Sequence, residues 1–87
     1  MRDDERAEEE YLSGHLEDAL ASDPRVAEPS LEVHVSARTV VIRGEVATPE
    51  RRAAVEDVAR EVASDRAIHN ETTVLEPREP GRPEVLP

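Results

Sequence analysis

Apolar residues recur along the chain at two spacings, and each spacing predicts a different kind of element. Between residues 8 and 21 they lie three and four positions apart, which is the period of one face of an α-helix. This stripe consists of Leu12, Leu16, Ala19 and Leu20. Residues 31–35 instead alternate between apolar and polar side chains, which predicts a β-strand with one buried face. Its inward positions are Leu31, Val33 and Val35.

Residues 39–46 predict a second strand, around which the other elements are arranged. Its inward face carries Val40, Ile42 and Val46, with Gly44 in register between them. A glycine weakens the centre of a strand unless another group has to approach the backbone there. We therefore interpret Gly44 as a structural glycine and expect a helix to pack over it, with a β-bulge as the alternative. The connection at residues 36–39 lacks Gly and Asn, so it predicts a hairpin turn looser than type I′.

A second helix is predicted directly after this strand. Thr48 is a good N-cap, Pro49 is tolerated at the first helical position, and Glu50 is favourable near the positive end of the helix dipole. The helix should run to about residue 63, and its apolar stripe consists of Val55, Val58, Ala59 and Val62. After a loop, residues 67–75 predict a third strand. Its inward residues are Ile68, Thr72 and Val74.

The order α-β-β-α-β predicts an α+β domain with a three-stranded mixed sheet. The third strand should run parallel to the second, because a helix connects the two. Both helices should cover the same face of the sheet, since one face alone carries apolar residues. We assign the domain to residues 10–75. Residues 1–9 are then an acidic tail or a helix extension, and the proline-rich residues 76–87 a disordered tail or linker.

The composition excludes several classes of function. The 87 residues carry a net charge of −10 and contain no cysteine, so disulfides and thiolate metal sites are excluded. The negative charge disfavours nucleic acid, which binds clustered cations, and opposes attraction to anionic membranes. No apolar run reaches the length of a membrane span, and no signal peptide is visible. We therefore expect no integral membrane segment, and a cytoplasmic location if the chain is complete.

The sequence predicts neither an enzyme nor a cofactor. It contains no glycine-rich phosphate loop, and no serine lies at a spacing from histidine that suggests a nucleophile and its base. The glutamates at residues 8–10 lie on a solvated helix end, which favours ordinary surface carboxylates over catalytic ones. His34 and His69 could form a zinc site with Glu32 or Glu71 as further ligands. Exposed, unliganded imidazoles are the favoured interpretation, so we assign no metal site.

The face of the sheet that the helices leave uncovered is the predicted interaction surface. Its candidate residues are His34, Val41, Arg43, Thr73 and Leu75. Val41 and Leu75 would be exposed apolar residues, with Arg43 among acidic neighbours. Such a surface can dock another protein or a second copy of the chain. Scattered apolar residues on a solvated face are the alternative, because these are common on protein surfaces.

Four segments of the chain resemble the BON domain, a small bacterial module named for osmotically induced and nodulation proteins. The resemblance covers roughly residues 11–75 and includes a glycine of the central strand at Gly44. The matching segments are residues 11–20 with 23–26, 40–46, 51–54 and 68–71. Three residues depart from the family pattern. Ser64 and Asp65 stand where the family has a glycine and an apolar residue, and Thr72 stands where it has an aliphatic residue.

The resemblance implies a non-catalytic binding module. BON domains are associated with osmotic stress, envelope integrity, phospholipid contact and protein–protein contact, and some cytoplasmic ones bind potassium. Three functions follow as hypotheses. The first is contact with a protein partner or self-association, through the open face or the sheet edges. The second is peripheral phospholipid binding, which the net charge opposes. The third is binding of a small cation, which suits the acidity but lacks a recognisable ligand loop.

Overall fold

The computed structural model describes residues 2–75 of the chain. The elements in chain order are α1 (Arg2–Ser22), β1 (Glu32–Val35), β2 (Thr39–Val46), α2 (Pro49–Val62) and β3 (Ala67–Val74). The predicted α-β-β-α-β order and the α+β class are confirmed. Helix α1 begins six residues before the predicted start at residue 8, so residues 2–9 extend the helix. The predicted proline-rich tail at residues 76–87 lies outside the described residues.

Strand β2 is the central strand of the sheet, whose order is β1-β2-β3. It pairs antiparallel with β1, where Val33 lies opposite Ile42. It pairs parallel with β3 along its whole length, from Thr39 opposite Ala67 to Val46 opposite Val74. The predicted mixed sheet is therefore confirmed, and its alternation assigns every strand residue to one of two faces.

One face of the sheet forms a single core with both helices. Leu16 and Leu20 of α1 are fully buried, as is Val55 of α2. The sheet contributes residues from its predicted inward positions, which are Val33, Val40, Ile42 and Val46. Val26, in the connection between α1 and β1, is also fully buried and packs into this core. Because all of these residues belong to one cluster, both helices cover the same face and the other face is open.

Helix α2 begins as its sequence predicts. The Thr48 side chain accepts a hydrogen bond from the Arg51 backbone N–H at 3.1 Å, and Pro49 occupies the first turn. The hairpin between β1 and β2 also agrees with prediction. Among residues 2–75, positive φ angles occur at Ala27 and Gly44, whereas a type I′ turn requires them at both central residues of the hairpin.

Gly44 is a structural glycine, but the residue that approaches it is not in a helix. Its φ is +139°, and an added Cβ would lie 2.7 Å from Leu31 Cδ2. Leu31 directly precedes β1, and its side chain folds across the space that a larger residue at position 44 would occupy. The expected helix over Gly44 is therefore wrong, because Leu31 already fills that position. β2 and β3 pair one to one through Gly44, so the alternative of a bulge does not occur in that pairing.

A cluster of charged groups connects the end of α1 to α2. The Arg25 guanidinium donates to both carboxylate oxygens of Asp23 and to both of Glu61, at 2.8–3.1 Å. The hydrogen bond from Arg25 lowers the pKa of Asp23 from 3.8 to about 2. It also lowers the pKa of Glu61. These groups are solvent-exposed, so their contribution to stability is modest and screened by salt.

Replacing each of two glycines with alanine should have opposite effects on stability. Gly44→Ala should lower the free energy of unfolding by about 1–3 kcal/mol, because alanine is strained at this backbone angle. Gly14→Ala should raise it by up to about 1 kcal/mol, because an added Cβ meets nothing within 4 Å and alanine favours helix. Urea unfolding followed by circular dichroism measures both. Equal effects of the two substitutions would contradict this assignment.

The pH dependence of stability should report the Arg25 cluster. Because the pKa of Asp23 is about 2 in the folded protein and 3.8 without its partners, its stabilisation is complete above 3.8 and is lost as pH falls towards 2. Arg25→Gln should raise the pKa of Asp23 towards 3.8 and lower stability at neutral pH, with a difference that shrinks in acid.

Carboxyl carbon shifts of Asp23, followed against pH by NMR, measure this pKa. Arg60→Gln is the matched control, because it removes one exposed guanidinium that pairs with Glu56 instead. An Asp23 pKa that is the same in the wild type and in Arg25→Gln would refute the role of Arg25.

Candidate functional site

The open face of the sheet carries cross-strand rows of polar side chains. One row consists of Glu32, Arg43 and Glu71 on the three strands in order. Arg43 Nε donates to Glu71 Oε1 at 2.8 Å, and this hydrogen bond lowers the pKa of the Glu71 carboxyl. All three side chains are exposed, so the row remains available for contact with a partner.

The next row places His34 and His69 on either side of Val41. Two strand spacings, roughly 10 Å, separate the backbones of the two histidines, and Val41 lies between them. His34 Nε2 lies 3.7 Å from Glu32 Oε1. The residues considered for a zinc site therefore do not converge, and no group of three or more metal-ligating side chains occurs within the described part of the chain.

The five residues of the predicted interaction surface lie on the open face or at its end, but they do not form an apolar patch. Val41 is half-buried and Leu75 is 50% exposed. Two polar rows separate them: the Arg43–Glu71 row and the pair of Glu45 with Thr73. Val41 and Leu75 are therefore not neighbours on this face, and its role as an interaction surface stays a prediction. The strand register makes this face a predominantly acidic surface instead.

The outer edge of β3 is partly capped by a side chain from α2. The Ala67 N–H donates to the Arg38 carbonyl just before β2, and the Leu75 N–H donates to the Val46 carbonyl at the end of β2. The even-numbered residues of β3 therefore direct their backbone groups outward. Arg52 reaches this edge and donates from Nε to the Thr72 carbonyl at 2.7 Å and from Nη2 to the Asn70 carbonyl at 3.1 Å. These bonds occupy the acceptors at the middle of the β3 edge.

The outer edge of β1 is less protected. Ser36 N–H donates to Thr39 O, and hydrogen-bonded pairs alternate in an antiparallel ladder. The backbone N–H and C=O groups of Val33 and Val35 therefore point away from β2. Within the described residues, the bond that the structure shows to these groups runs from Ser13 Oγ to Val33 O at 3.1 Å. The remaining groups form an open edge beside α1.

A groove of about 600 Å³ separates this edge from α1. One wall is a stripe along α1, and the other is β1. The lining residues are Arg6, Glu9, Glu10, Ser13, Gly14 and Glu17 on α1, with Val33, His34 and Val35 on β1. Three glutamates face one arginine in this set, so the groove is acidic. Sequence reasoning missed it, because a helical stripe of polar residues is typical of a solvated face.

Comparison with protein-family models identifies the fold. The model described as BON domain matches residues 8–76, a span that includes all three strands, α2 and most of α1. The chain belongs to the BON domain family. A comparison with curated proteins gives no match. The suspected resemblance is thus confirmed, and membership is consistent with a non-catalytic binding module.

Two of the segments that carry the resemblance contact each other in this BON domain. Arg52 lies in the segment 51–54 and Asn70 in the segment 68–71. Besides the bond from Arg52 to the Asn70 carbonyl, the Asn70 side-chain amide donates to the Arg52 carbonyl at 2.8 Å. These residues therefore fasten the start of α2 to the edge of the sheet. Sequence analysis did not anticipate this contact.

The departures from the BON pattern are accommodated by their surroundings. Thr72 is 2% exposed, and its hydroxyl donates to Asn70 Oδ1 at 2.6 Å. The same oxygen accepts the Thr72 backbone N–H, so this buried polar side chain is satisfied. Ser64 and Asp65 lie exposed in the loop between α2 and β3, where polar residues have little cost. No helix among the described residues is long and apolar enough to cross a membrane.

Removing the Asn70 side chain should destabilise the BON domain more than removing the Thr72 hydroxyl. Asn70→Ala deprives the buried Thr72 hydroxyl of its acceptor and should lower the free energy of unfolding by about 1–3 kcal/mol. Thr72→Val should change it by less than about 1 kcal/mol, because Asn70 Oδ1 keeps the Thr72 N–H as a donor. Urea unfolding of both variants measures the difference. A larger effect of Thr72→Val would contradict the central position of Asn70.

Proposed function

We propose that this BON domain is a non-catalytic binding module that contacts a basic protein surface through the open face of its sheet. The observation that carries the proposal is the arrangement of this face. Its rows expose Glu32, Glu45 and Glu71, with Arg43 as the cation among them. Both helices pack behind the sheet, so the face is presented on a rigid support.

The charge of the open face favours a protein with a complementary surface over the alternatives. Three carboxylates against one guanidinium repel anionic phospholipid headgroups, and they also repel the same face of a second copy. Complementary charge steers association and suppresses incorrect partners. Phospholipid and potassium binding are the alternatives that the family implies. Family membership also supports a bacterial stress or envelope context for the interaction.

Photo-crosslinking in the cells that produce the protein tests the open face. A benzophenone amino acid replaces Thr73 on this face, and the control places it at Asp57, which is exposed on α2. The Thr73 position should give a crosslinked protein adduct and the Asp57 position should not. Adducts of equal yield from both positions would contradict a contact through the open face.

Charge reversal should weaken formation of this adduct at one position and leave it unchanged at another. Glu45→Arg places a cation on the open face and should lower the crosslinking yield about tenfold, because like charges then face each other. Asp57→Arg changes the net charge by the same amount on α2 and should leave the yield unchanged.

An NMR titration of the purified protein tests the two alternatives. Potassium and phosphatidylglycerol bicelles are added separately at physiological ionic strength. Neither should produce saturable shifts clustered on one surface. Saturable shifts with either ligand would replace the protein partner with that ligand class, and sedimentation of the same sample tests self-association.

A further inference from the structure

The two edges of the sheet differ in how far other groups bond to their outward backbone atoms. This difference indicates that β1 is the edge open to a new strand. At β3, Arg52 and the Asn70 side chain bond to the outward backbone groups of residues 70 and 72. Proteins protect exposed edges because unpaired strand groups recruit other chains. At β1, the bond that the described residues show to an outward backbone group runs from the Ser13 hydroxyl to the Val33 carbonyl. The carbonyl that it contacts retains a second lone pair.

The groove beside this edge has a volume of about 600 Å³ and is lined by residues of both α1 and β1. The Ser13 hydroxyl bonds α1 to β1 at 3.1 Å and thereby fixes the spacing of the two walls. Next to it, Gly14 has nothing within 4 Å of an added Cβ, so no contact inside the described chain explains a glycine in the middle of this helix. Gly14 lines the groove, so its missing side chain widens it.

The charge of the groove indicates the chemistry of its occupant. Glu9, Glu10 and Glu17 line the helical wall, with Arg6 at one end. Side chains of an added strand alternate between the two faces of the sheet, so every second side chain would point towards this acidic wall. Those on the other face would lie beside Glu32 and His34. Basic side chains match both environments.

We propose that the α1–β1 groove binds a basic peptide segment of a partner protein as a fourth strand along β1. The backbone groups of Val33 and Val35 supply the strand hydrogen bonds, and the glutamates of α1 select lysine or arginine at alternate positions. This recognition mode adds a strand to an exposed sheet edge, with affinity from the main chain and specificity from the side chains. The site is separate from the open face, so it does not depend on the proposed function.

Titration of the isotope-labelled full chain with a fluorescein-labelled peptide of alternating lysine and threonine tests the groove. Binding should be saturable by fluorescence anisotropy, and the amide hydrogens of Val33 and Val35 should exchange more slowly with solvent. The same peptide with every second amide N-methylated should bind at least about tenfold more weakly, because it cannot pair fully with the edge. Equal binding of the methylated peptide would reduce the interaction to charge attraction and overturn the proposal.

Two substitutions on α1 distinguish the groove from other surfaces. Gly14→Leu fills the groove and should weaken binding at least about tenfold while the helix is retained, since leucine has a higher helix propensity than glycine. His15→Leu is the matched control on the exposed, opposite side of α1 and should leave binding unchanged. Loss of binding in both variants, or in neither, would overturn the assignment to this groove.

Charge variants complete the test. Glu10→Gln with Glu17→Gln should weaken binding about tenfold, whereas Asp18→Asn with Asp57→Asn removes two carboxylates elsewhere and should have little effect. Glu45→Arg, which tests the open face, should also leave peptide binding unchanged. Three outcomes would each refute the groove as the site. They are equal binding of an alternating glutamate–threonine peptide, amide shifts confined to the open face, and the absence of saturable binding.

Discussion

The structure depends on the burial of one face of a three-stranded sheet by two helices. No phenylalanine or tryptophan contributes to this core, so its apolar area comes from Val, Leu, Ile and Ala. Small side chains require close approach of the elements, and every inward position of β2 is therefore constrained. Gly44 shows the constraint most clearly, because Leu31 reaches across the strand into the volume that a side chain would need. The position of Leu31, which directly precedes β1, therefore depends on the absence of a side chain at residue 44.

A sheet covered on one side leaves an open face and two edges, and the polar residues of this BON domain are distributed among the three. The β3 edge is partly closed by hydrogen bonds that Arg52 and Asn70 exchange across the start of α2. The same amide oxygen accepts the buried Thr72 hydroxyl. Asn70 therefore satisfies a buried group and an edge with one side chain. This explains how a polar residue enters a position that is aliphatic in the family without leaving an unpaired group in the core.

The elements were predictable from the sequence because their signals are local. The N-cap at Thr48 and the alternation along β1 and β2 depend on neighbours in the chain, and the structure confirms them. The contacts of Leu31 with Gly44 and of Arg52 with Asn70 join residues that are distant in sequence. No periodicity reports which distant side chains meet. The separation of Val41 from Leu75 could not be predicted for the same reason, because it follows from the strand register.

The two glycines in α1 and β2 illustrate how a structure distinguishes internal constraint from external contact. Gly44 has a backbone angle of +139° and a neighbour in the way of any side chain, so the fold itself requires glycine there. Gly14 has neither, and glycine in a helix interior costs about 1 kcal/mol relative to alanine. A destabilising residue that no internal contact requires is expected where a surface must remain open. Gly14 lines the groove beside the less protected edge of the sheet, so the unexplained glycine and the unpaired backbone groups indicate the same surface.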